Sequence, residues 1–294
     1  MLISLTSPSS SNTATTASVG GKAASLAKLF TTPGLQDHVP KSYALSTSFF
    51  QPWIEELFTN NSISDVYRRL FNGDIIESEK LEEACQTLKN LCMKIPLTNR
   101  QQTALNELSN IISTEFAHSL AAVRSSAIEE DGSDMSYAGM FETELGVSSR
   151  NLEMAVRRCF ASKFDSRVFS YMGVIHNDKQ KQQRGNITLD MVGGFAIVVM
   201  EMVDSLTAGV AFSANPLNSD RDECVVDSSF GLGISVVDGS VTPDRYIYDK
   251  VAKKMVQQVV GSKTVEKRLC VVEGGGGINF LSHYETIPIE DVAR

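Results

Sequence analysis

The sequence predicts an α+β protein with two lobes, a helix-rich N-terminal lobe and a C-terminal lobe built on an antiparallel sheet. Up to Tyr171, apolar residues recur mainly at three- and four-residue spacings, which indicates helices with one buried face. After Tyr171, short β-branched runs alternate with Gly and Pro turns, which indicates strands. This segregation favours α+β over a regular βαβ alternation. We expect lobe one at about 19–190 and lobe two at about 191–294, incomplete at its C-terminal end.

Composition excludes several classes of protein. The chain has 294 residues, 42% of them hydrophobic and 21% charged, as is usual for a globular protein. Its net charge of −8 argues against a general nucleic-acid binder. No run approaches the ~20 apolar residues that span a bilayer, and the N-terminus lacks the features of a secretory signal. The five cysteines are scattered without a CxxC motif, so we expect reduced core thiols and a cytoplasmic protein.

The elements of lobe one follow from turn, capping and periodicity signals. Gly20-Gly21-Lys22 opens the first helix and Pro33-Gly34 ends it, and Ser48 is a good cap for the second. We predict, in order, a disordered Ser/Thr-rich tail over 1–18, a helix over 23–30, an extended segment over 40–47, a helix over 48–58, helices through 62–119, strands over 121–125 and 143–147, and a helix over 151–171.

Lobe two is predicted to consist of short strands. The apolar run that starts at Phe195 is rich in β-branched residues and reads as a buried strand. The run Gly274 to Gly277 reads as a flexible connection without chemistry. The predicted strands cover 195–203, 208–212, 223–227, 246–249 and 269–272.

The first candidate for chemistry is Val19-Gly20-Gly21-Lys22. It is not a P-loop, because the earlier Gly and the Ser or Thr after the Lys are missing. Glycines at a helix start nevertheless expose backbone N–H groups, and the lysine adds a charge, so the segment suits a phosphate. The alternative is a plain helix start with a solvated lysine.

The second candidate is Arg124, in the segment Ala122 to Ala127. An arginine at the end of a buried strand is costly unless it has an anionic partner, and its forked guanidinium matches phosphate. The following loop reaches Gly139 and Thr143, whose backbone N–H groups could close over phosphates. The alternative is an internal ion pair from Arg124 to Glu129 or Asp131.

Two further segments are weaker candidates when taken alone. The third candidate is Met202-Val203 followed by Ala208 to Pro216: the strand before it could offer backbone groups to an adenine edge, or the whole could be a plain β-hairpin core. The segment Asp227 to Asp244 combines glycine turns with carboxylates that could approach a metal-bound triphosphate, or serve only as turns.

Together the segments resemble a known family. This chain reads VGGKAASLAKL, AVRSSAIEED, YAGMFETELGV, MVDSLTAGVAFSANP and GLGISVVDGSVTPDR. In order and at fitting separations, these motifs are similar to the N-terminal nucleotide-binding region shared by pyruvate phosphate dikinases, phosphoenolpyruvate synthases and rifampicin phosphotransferases. The resemblance covers about residues 19–250.

The resemblance implies an ATP-grasp-type fold with ATP between two lobes. Such enzymes cleave ATP to AMP and pass a phosphoryl group through a histidine domain to an acceptor. It implies that Lys22 and Arg124 bind phosphate as the catalytic cations, that Gly139 and Thr143 belong to the phosphate-covering loop, and that Mg²⁺ accompanies ATP. Phosphoryl transfer depends chiefly on charge neutralisation, which Lys, Arg and Mg²⁺ supply.

This chain also departs from the family pattern. Met200 stands where the family has a glutamine near the adenine, so Met200 and Met202 are the expected adenine contacts, and Ile234 replaces a frequent glutamate. The family's glutamate metal ligand and Q-x-R-P strand are missing, so the metal ligands are unknown, although Asp227 and Glu223 could substitute. None of the histidines lies in a phosphohistidine motif, and we expect none to be phosphorylated: they are His38, His118, His176 and His283.

Two functions remain open from the sequence. The first is an ATP-binding module of a phosphotransferase, whose histidine domain and acceptor-binding domain are supplied by another chain or missing from this one. The second is a degenerate, non-catalytic nucleotide-binding or interaction protein, as the missing metal ligands and the residues at Met200 and Ile234 suggest. Neither requires a nucleic acid or a membrane.

Overall fold

A computed structural model describes residues 1–59, 78–128, 141–170, 194–272 and 281–288. The chain divides into two compact units, Met1–Met202 and Val203–Arg294. Each unit combines helices with antiparallel sheet, which confirms the α+β class. None of the helices in the described part of the chain combines the length and apolarity needed to cross a bilayer.

The first unit is built on a five-stranded sheet in the order β1-β2-β5-β3-β4, with every neighbouring pair antiparallel. The central strand β5 is completely buried over its first five residues, as its β-branched sequence predicts. The strands are β1 Leu2–Ser4, β2 Ser42–Leu45, β3 Leu120–Ala127, β4 Thr143–Ser148 and β5 Phe195–Glu201.

Helices cover the two faces of this sheet. Their bounds are α1 Ser10–Thr13, α2 Thr16–Thr31, α3 Thr47–Thr59, α4 Ser78–Cys92, α5 Asn99–Glu115 and α6 Leu152–Ala161, with 3₁₀ turns at Gln36–His38, Ala117–Ser119, Ser149–Asn151 and Ser162–Phe164. The helices predicted at 48–58 and within 62–119 are confirmed where the structure describes them. The helix predicted over 151–171 ends earlier, at Ala161, and a 3₁₀ turn separates it from a further helical stretch at 166–170.

Two hydrophobic cores lie on opposite faces of the sheet. The larger contains Phe50, Trp53 and Phe160 with helices α3 to α6, and the rings of Phe50 and Phe160 stack with centroids 5.3 Å apart. Full burial of each such side chain contributes roughly 1.5–3 kcal/mol. The smaller core lies between α2 and the other face, where Ala23 and Ala27 pack with Val198. Residues of β5 therefore pack against helices on both faces of the sheet.

The prediction of a disordered tail over 1–18 was wrong. Residues Leu2–Ser4 pair with β2, and Leu5 is fully buried. The short helix α1 and the start of α2 follow at once. Ser and Thr dominate the segment, but its few apolar residues are enough to add an edge strand to the sheet and to pack beneath α2.

The unit boundary also differs from the predicted one at 190/191. It falls after Met202, because β5 pairs with β2 on one side and β3 on the other and so belongs to the first unit. The sequence pattern places β5 in lobe two, because the strand-rich part of the sequence begins with this strand. Pairing across long sequence separations decides the boundary, and local pattern does not report such pairing.

The second unit contains a four-stranded antiparallel sheet in the order β6-β7-β8-β9, and a separate hairpin of β10 and β11. The sequence missed β9, which is exposed along its whole length and therefore lacks the alternation of a half-buried strand. It also missed β11. The elements are β6 Thr207–Phe212, β7 Glu223–Phe230, α7 Ile234–Val237, β8 Asp244–Asp249, β9 Lys254–Val259, β10 Val265–Val272 and β11 Leu281–Pro288.

The cysteines whose side chains the structure describes are free thiols, as predicted. Cys85 and Cys92 lie on α4 and are both buried, which confirms one buried face at a spacing of seven. Burial raises the pKa of Cys85 to about 12 and also raises the pKa of Cys92. Both are inert core residues, since the thiolate is the reactive form.

Candidate functional site

Arg124 is the one exposed residue on the otherwise buried strand β3. It lies directly opposite Val198 on β5 and directly opposite Thr143 on β4. Directly opposed residues on antiparallel strands share a face. Ala44 is the next residue along this row and packs with Val198 beneath α2. Arg124 and Thr143 therefore lie together on the α2 face of the sheet, away from the aromatic core.

The alternative ion pair of Arg124 was with Glu129 or Asp131, and both lie outside the described residues, as does Gly139. Within the described part of the chain, Arg124 forms no ion pair. The guanidinium of Arg124 is exposed at the row of Val198 and Thr143, and a planar cation with five donors is well suited to bind an anion.

The Gly-Gly-Lys segment lies inside α2 and not before it. The helix starts at Thr16, but Gly20 interrupts it with φ 78° and ψ 173°, a conformation that only glycine adopts readily. The second helical segment therefore starts at Gly21, with Lys22 half-buried in its first turn. The predicted helix over 23–30 is confirmed, and the sequence missed the turn that precedes the break.

Ser126 joins this helix start to β3. Its hydroxyl accepts a hydrogen bond from the backbone N–H of Ala23 at 3.1 Å. A Cβ at Gly20 would lie 1.8 Å from the Ser126 carbonyl oxygen, so the two backbones are in direct contact. Ser126 is two residues from Arg124 on the same strand and hence on the same face. The motifs of Lys22 and Arg124, 102 positions apart in the numbering, are thus anchored to each other through Ser126.

The two methionines expected at the adenine lie at the end of β5. Met200 is opposite Ala122 on β3, so it shares the α2 face, and it packs at the edge of the smaller core. Met202 is buried, and its N–H donates to the Leu120 carbonyl at 3.0 Å. Both contribute to packing in this structure, and their contact with an adenine remains a prediction.

The two suggested substitute metal ligands are engaged elsewhere. Asp227 accepts two hydrogen bonds of 2.7 Å from the guanidinium of Arg245. Glu223 accepts from the side-chain amides of Asn215 and Asn218 at 2.7 and 3.2 Å. Within the described ranges, no group of three or more His, Cys, Asp or Glu residues could hold a metal ion. In this structure both carboxylates have protein partners, and a metal at either one stays a prediction.

Other carboxylates of the glycine-rich segment are also paired. Asp238 bonds to Lys267, and Asp244 bonds to Lys263. Burial alone would raise the pKa of each carboxyl, but the lysine hydrogen bonds, with others from backbone N–H groups, outweigh it and hold each pKa below its ordinary value. These ion pairs connect β8, β10 and the intervening turns, which is a structural role.

The signal for the Ser126 contact was present in the sequence but not recognised. Gly20 has no side chain with which to cap the helix it opens, so the cap has to come from elsewhere in the chain. The pairing of Arg124 with Thr143 depends on a register shift in β3 between Ala121 and Val123, which no local pattern indicates.

Comparison with known proteins identifies relatives of this chain. Residues 16–275 match the family model described as pyruvate phosphate dikinase, AMP/ATP-binding domain. A probable phosphoenolpyruvate synthase of Staphylothermus marinus is 31% identical over 255 residues, which are 84% of this chain and 28% of that protein. A probable phosphoenolpyruvate synthase of Archaeoglobus fulgidus is 30% identical over 247 residues, 83% of this chain and 30% of that protein.

A relative that is not named as a phosphoenolpyruvate synthase also matches part of this chain. The uncharacterized phosphotransferase YvkC of Bacillus subtilis is 35% identical over 169 residues, which are 55% of this chain and 19% of that protein. The chain spans less than a third of the length of these three curated relatives.

Proposed function

The chain belongs to the pyruvate phosphate dikinase AMP/ATP-binding domain family, and on that premise we propose that it binds ATP on the α2 face of its five-stranded sheet. The observation that carries this location is the exposed Arg124 opposite Thr143, on a strand whose Ser126 is bonded to the helix turn of Lys22. Family membership favours this function over a degenerate protein without a nucleotide.

Each residue would have a defined part in binding. Lys22 and Arg124 would neutralise the phosphates, Lys22 as a point charge and Arg124 as a fork that can donate hydrogen bonds to two oxygens at once. Thr143, the first residue of β4, would add a hydroxyl beside Arg124, and Gly139 would contribute to the loop that covers the phosphates. Met200 and Met202 would offer an apolar edge to the adenine, as nucleotide pockets commonly do.

The reaction is proposed from the relatives. In phosphoenolpyruvate synthase-type phosphotransferases, ATP is converted to AMP and a phosphoryl group passes through a histidine domain to a small-molecule acceptor. We propose that this chain is the ATP-binding module of such a system, with an ATP-grasp-type fold, and that the histidine and acceptor-binding domains act with it. The buried free thiols are typical of a reducing compartment, and we propose a cytoplasmic location.

Magnesium fits this scheme as part of the nucleotide. Mg²⁺ is commonly held by substrate phosphates and waters with only one or two protein carboxylates. A Mg²⁺ ion bound in this way does not need a group of three protein ligands, and the described residues contain no such group. We therefore propose that Mg²⁺ enters as its ATP complex.

A calorimetric titration of the whole chain with ATP and Mg²⁺ tests the proposal. Loss of either charge-assisted contact costs roughly 1.5–3 kcal/mol, so Lys22→Ala and Arg124→Ala should each weaken ATP binding about 10- to 150-fold. Lys28→Ala on the same helix and Arg100→Ala on α5 are matched controls, because both side chains are exposed elsewhere on the first unit. Equal ATP affinity in all five proteins would refute the proposed site.

A further inference from the structure

The helical segment that carries Lys22 begins without a cap of its own. Gly20 occupies the position from which a Ser, Thr, Asp or Asn side chain would normally accept an N–H of the first turn. No other residue type fits there, since a Cβ would lie 1.8 Å from the Ser126 carbonyl oxygen and φ is positive. The N–H groups of Gly21, Lys22 and Ala23 therefore need partners from outside the helix.

Ser126 supplies one of these partners from another element. Its side chain is fully buried, and its hydroxyl accepts the Ala23 N–H at 3.1 Å, across 103 residues of sequence. Ala23 is the third residue after Gly20, which is the position that a normal N-cap side chain would reach. The contact is thus an N-cap provided by β3.

The strand that provides the cap also holds Arg124. Ser126 lies two residues from Arg124, in register with Ala196 of the central strand β5, and its neighbours Ser125 and Ala127 are buried. A buried segment that is paired with the central strand belongs to the more stable part of a sheet. The Ser126 hydroxyl therefore fixes the first turn of the Lys22 helix against the same stretch of backbone that fixes Arg124.

We propose that Ser126 is a positioning residue for the phosphate site, acting through Lys22. Without its hydroxyl, the Ala23 N–H loses its partner and the first turn frays, so Lys22 is held near the phosphates for a smaller fraction of the time. This inference rests on the proposed function, since it presupposes that Lys22 binds phosphate. It assigns to Ser126 no contact with the nucleotide.

The test compares Ser126→Ala with Ser125→Ala. Ser125 has the same chemistry and is equally buried, but it lies opposite Ile197 and so on the face of the aromatic core. Binding of ATP and of adenosine is measured for each folded protein, alone and in the Lys22→Ala background. Ser126→Ala should weaken ATP binding roughly fivefold, the scale of one helix cap, and leave adenosine binding unchanged.

The Lys22→Ala background separates positioning from a general loss of structure. If Ser126 acts through Lys22, Ser126→Ala has no further effect on ATP binding once Lys22 is absent. An equal loss for ATP and adenosine, or a fivefold loss that persists without Lys22, would overturn the inference while leaving the proposed function intact. If the unsubstituted chain bound ATP no better than adenosine, the proposed function itself would fail. Should Ser126→Ala not fold, Ser126→Cys replaces it: its weaker acceptor should give the same pattern with a smaller loss, and an unchanged ATP affinity would count against the inference.

Discussion

Arg124 on β3 and Thr143 on β4 lie directly opposite each other, at the outer end of a row that crosses the whole first sheet. This pairing puts a hydroxyl beside the guanidinium on the α2 face. Thr143→Val should therefore weaken ATP binding about tenfold, the lower end of the range for one hydrogen bond to a charged group, and leave adenosine binding unchanged. Titration calorimetry measures both. Thr103→Val, on the exposed side of α5, is the control, and equal effects of the two substitutions would contradict a role for Thr143.

The break at Gly20 predicts a large stability difference between two glycine substitutions. Gly20 and Gly34 both have φ near +80°, but a Cβ at Gly34 meets nothing within 4 Å, whereas at Gly20 it meets the Ser126 backbone. Gly34→Ala should cost about 1–2 kcal/mol for its left-handed backbone alone. Gly20→Ala should cost more than about 3 kcal/mol, because backbone strain and overpacking add. Urea denaturation measures both, and similar losses would argue against the close contact.

Two adjacent arginines on α6 should differ sharply in their contribution to stability. Arg157 is buried, lies 4.9 Å over the Trp53 ring and donates to the Cys92 and Ile95 carbonyls. Arg158 forms a bidentate ion pair with Glu144 at the surface. Arg157→Ala should lower the free energy of unfolding by roughly 3 kcal/mol, because two buried carbonyls lose their donor. Arg158→Ala should cost under about 1 kcal/mol. The denaturation midpoints of the two variants measure this difference. A larger loss of stability in Arg158→Ala than in Arg157→Ala would contradict the prediction.

The ion pair of Lys89 and Asp165 makes the free energy of unfolding depend on pH in the acid range. Burial alone would raise the pKa of Asp165, but hydrogen bonds from Arg167 and Lys89 outweigh it and hold the pKa well below its ordinary value. A lowered folded-state pKa means that the contribution is complete above the unfolded-state value of about 3.9 and declines as pH falls toward the folded-state value.

Asp165→Asn should therefore reduce the free energy of unfolding by about 1–2 kcal/mol at pH 7, a value that allows for the largely exposed Arg167. The difference from the unsubstituted chain should shrink as pH falls below about 4. Urea titrations at pH 7, 5, 4 and 3 measure it. A difference that stays constant over this range would contradict the ion pair's role. Lys89→Gln removes one of the two donors, so its loss in the free energy of unfolding should be smaller and should also shrink as pH falls.

Local pattern predicted the elements that are locally determined. The strand around Arg124, the strand that begins at Thr143 and the helix after Gly20-Gly21-Lys22 were all foreseen, since alternation, capping residues and turn residues act over a few positions. The buried strand at Phe195 was foreseen for the same reason. Its membership of the first unit was not, because that depends on pairing with residues 68 or more positions away in the sequence.

The relationships within the candidate site depend on tertiary contacts. The opposition of Arg124 and Thr143 follows a register shift in β3, and the cap from Ser126 to Ala23 joins residues far apart in sequence. The tail was mispredicted for a related reason: its Ser and Thr content masks the few apolar residues that add β1 to the sheet. The fully exposed β9 carried no alternation to detect.

The most direct test of a phosphate site at Lys22 and Arg124 is an affinity series of adenosine, AMP, ADP and ATP with Mg²⁺. If both cations face the phosphates, affinity rises from adenosine to ATP in the unsubstituted chain, and Lys22→Ala and Arg124→Ala flatten the rise while leaving adenosine binding unchanged. A series with equal affinity throughout, or a rise that survives both substitutions, would contradict the account.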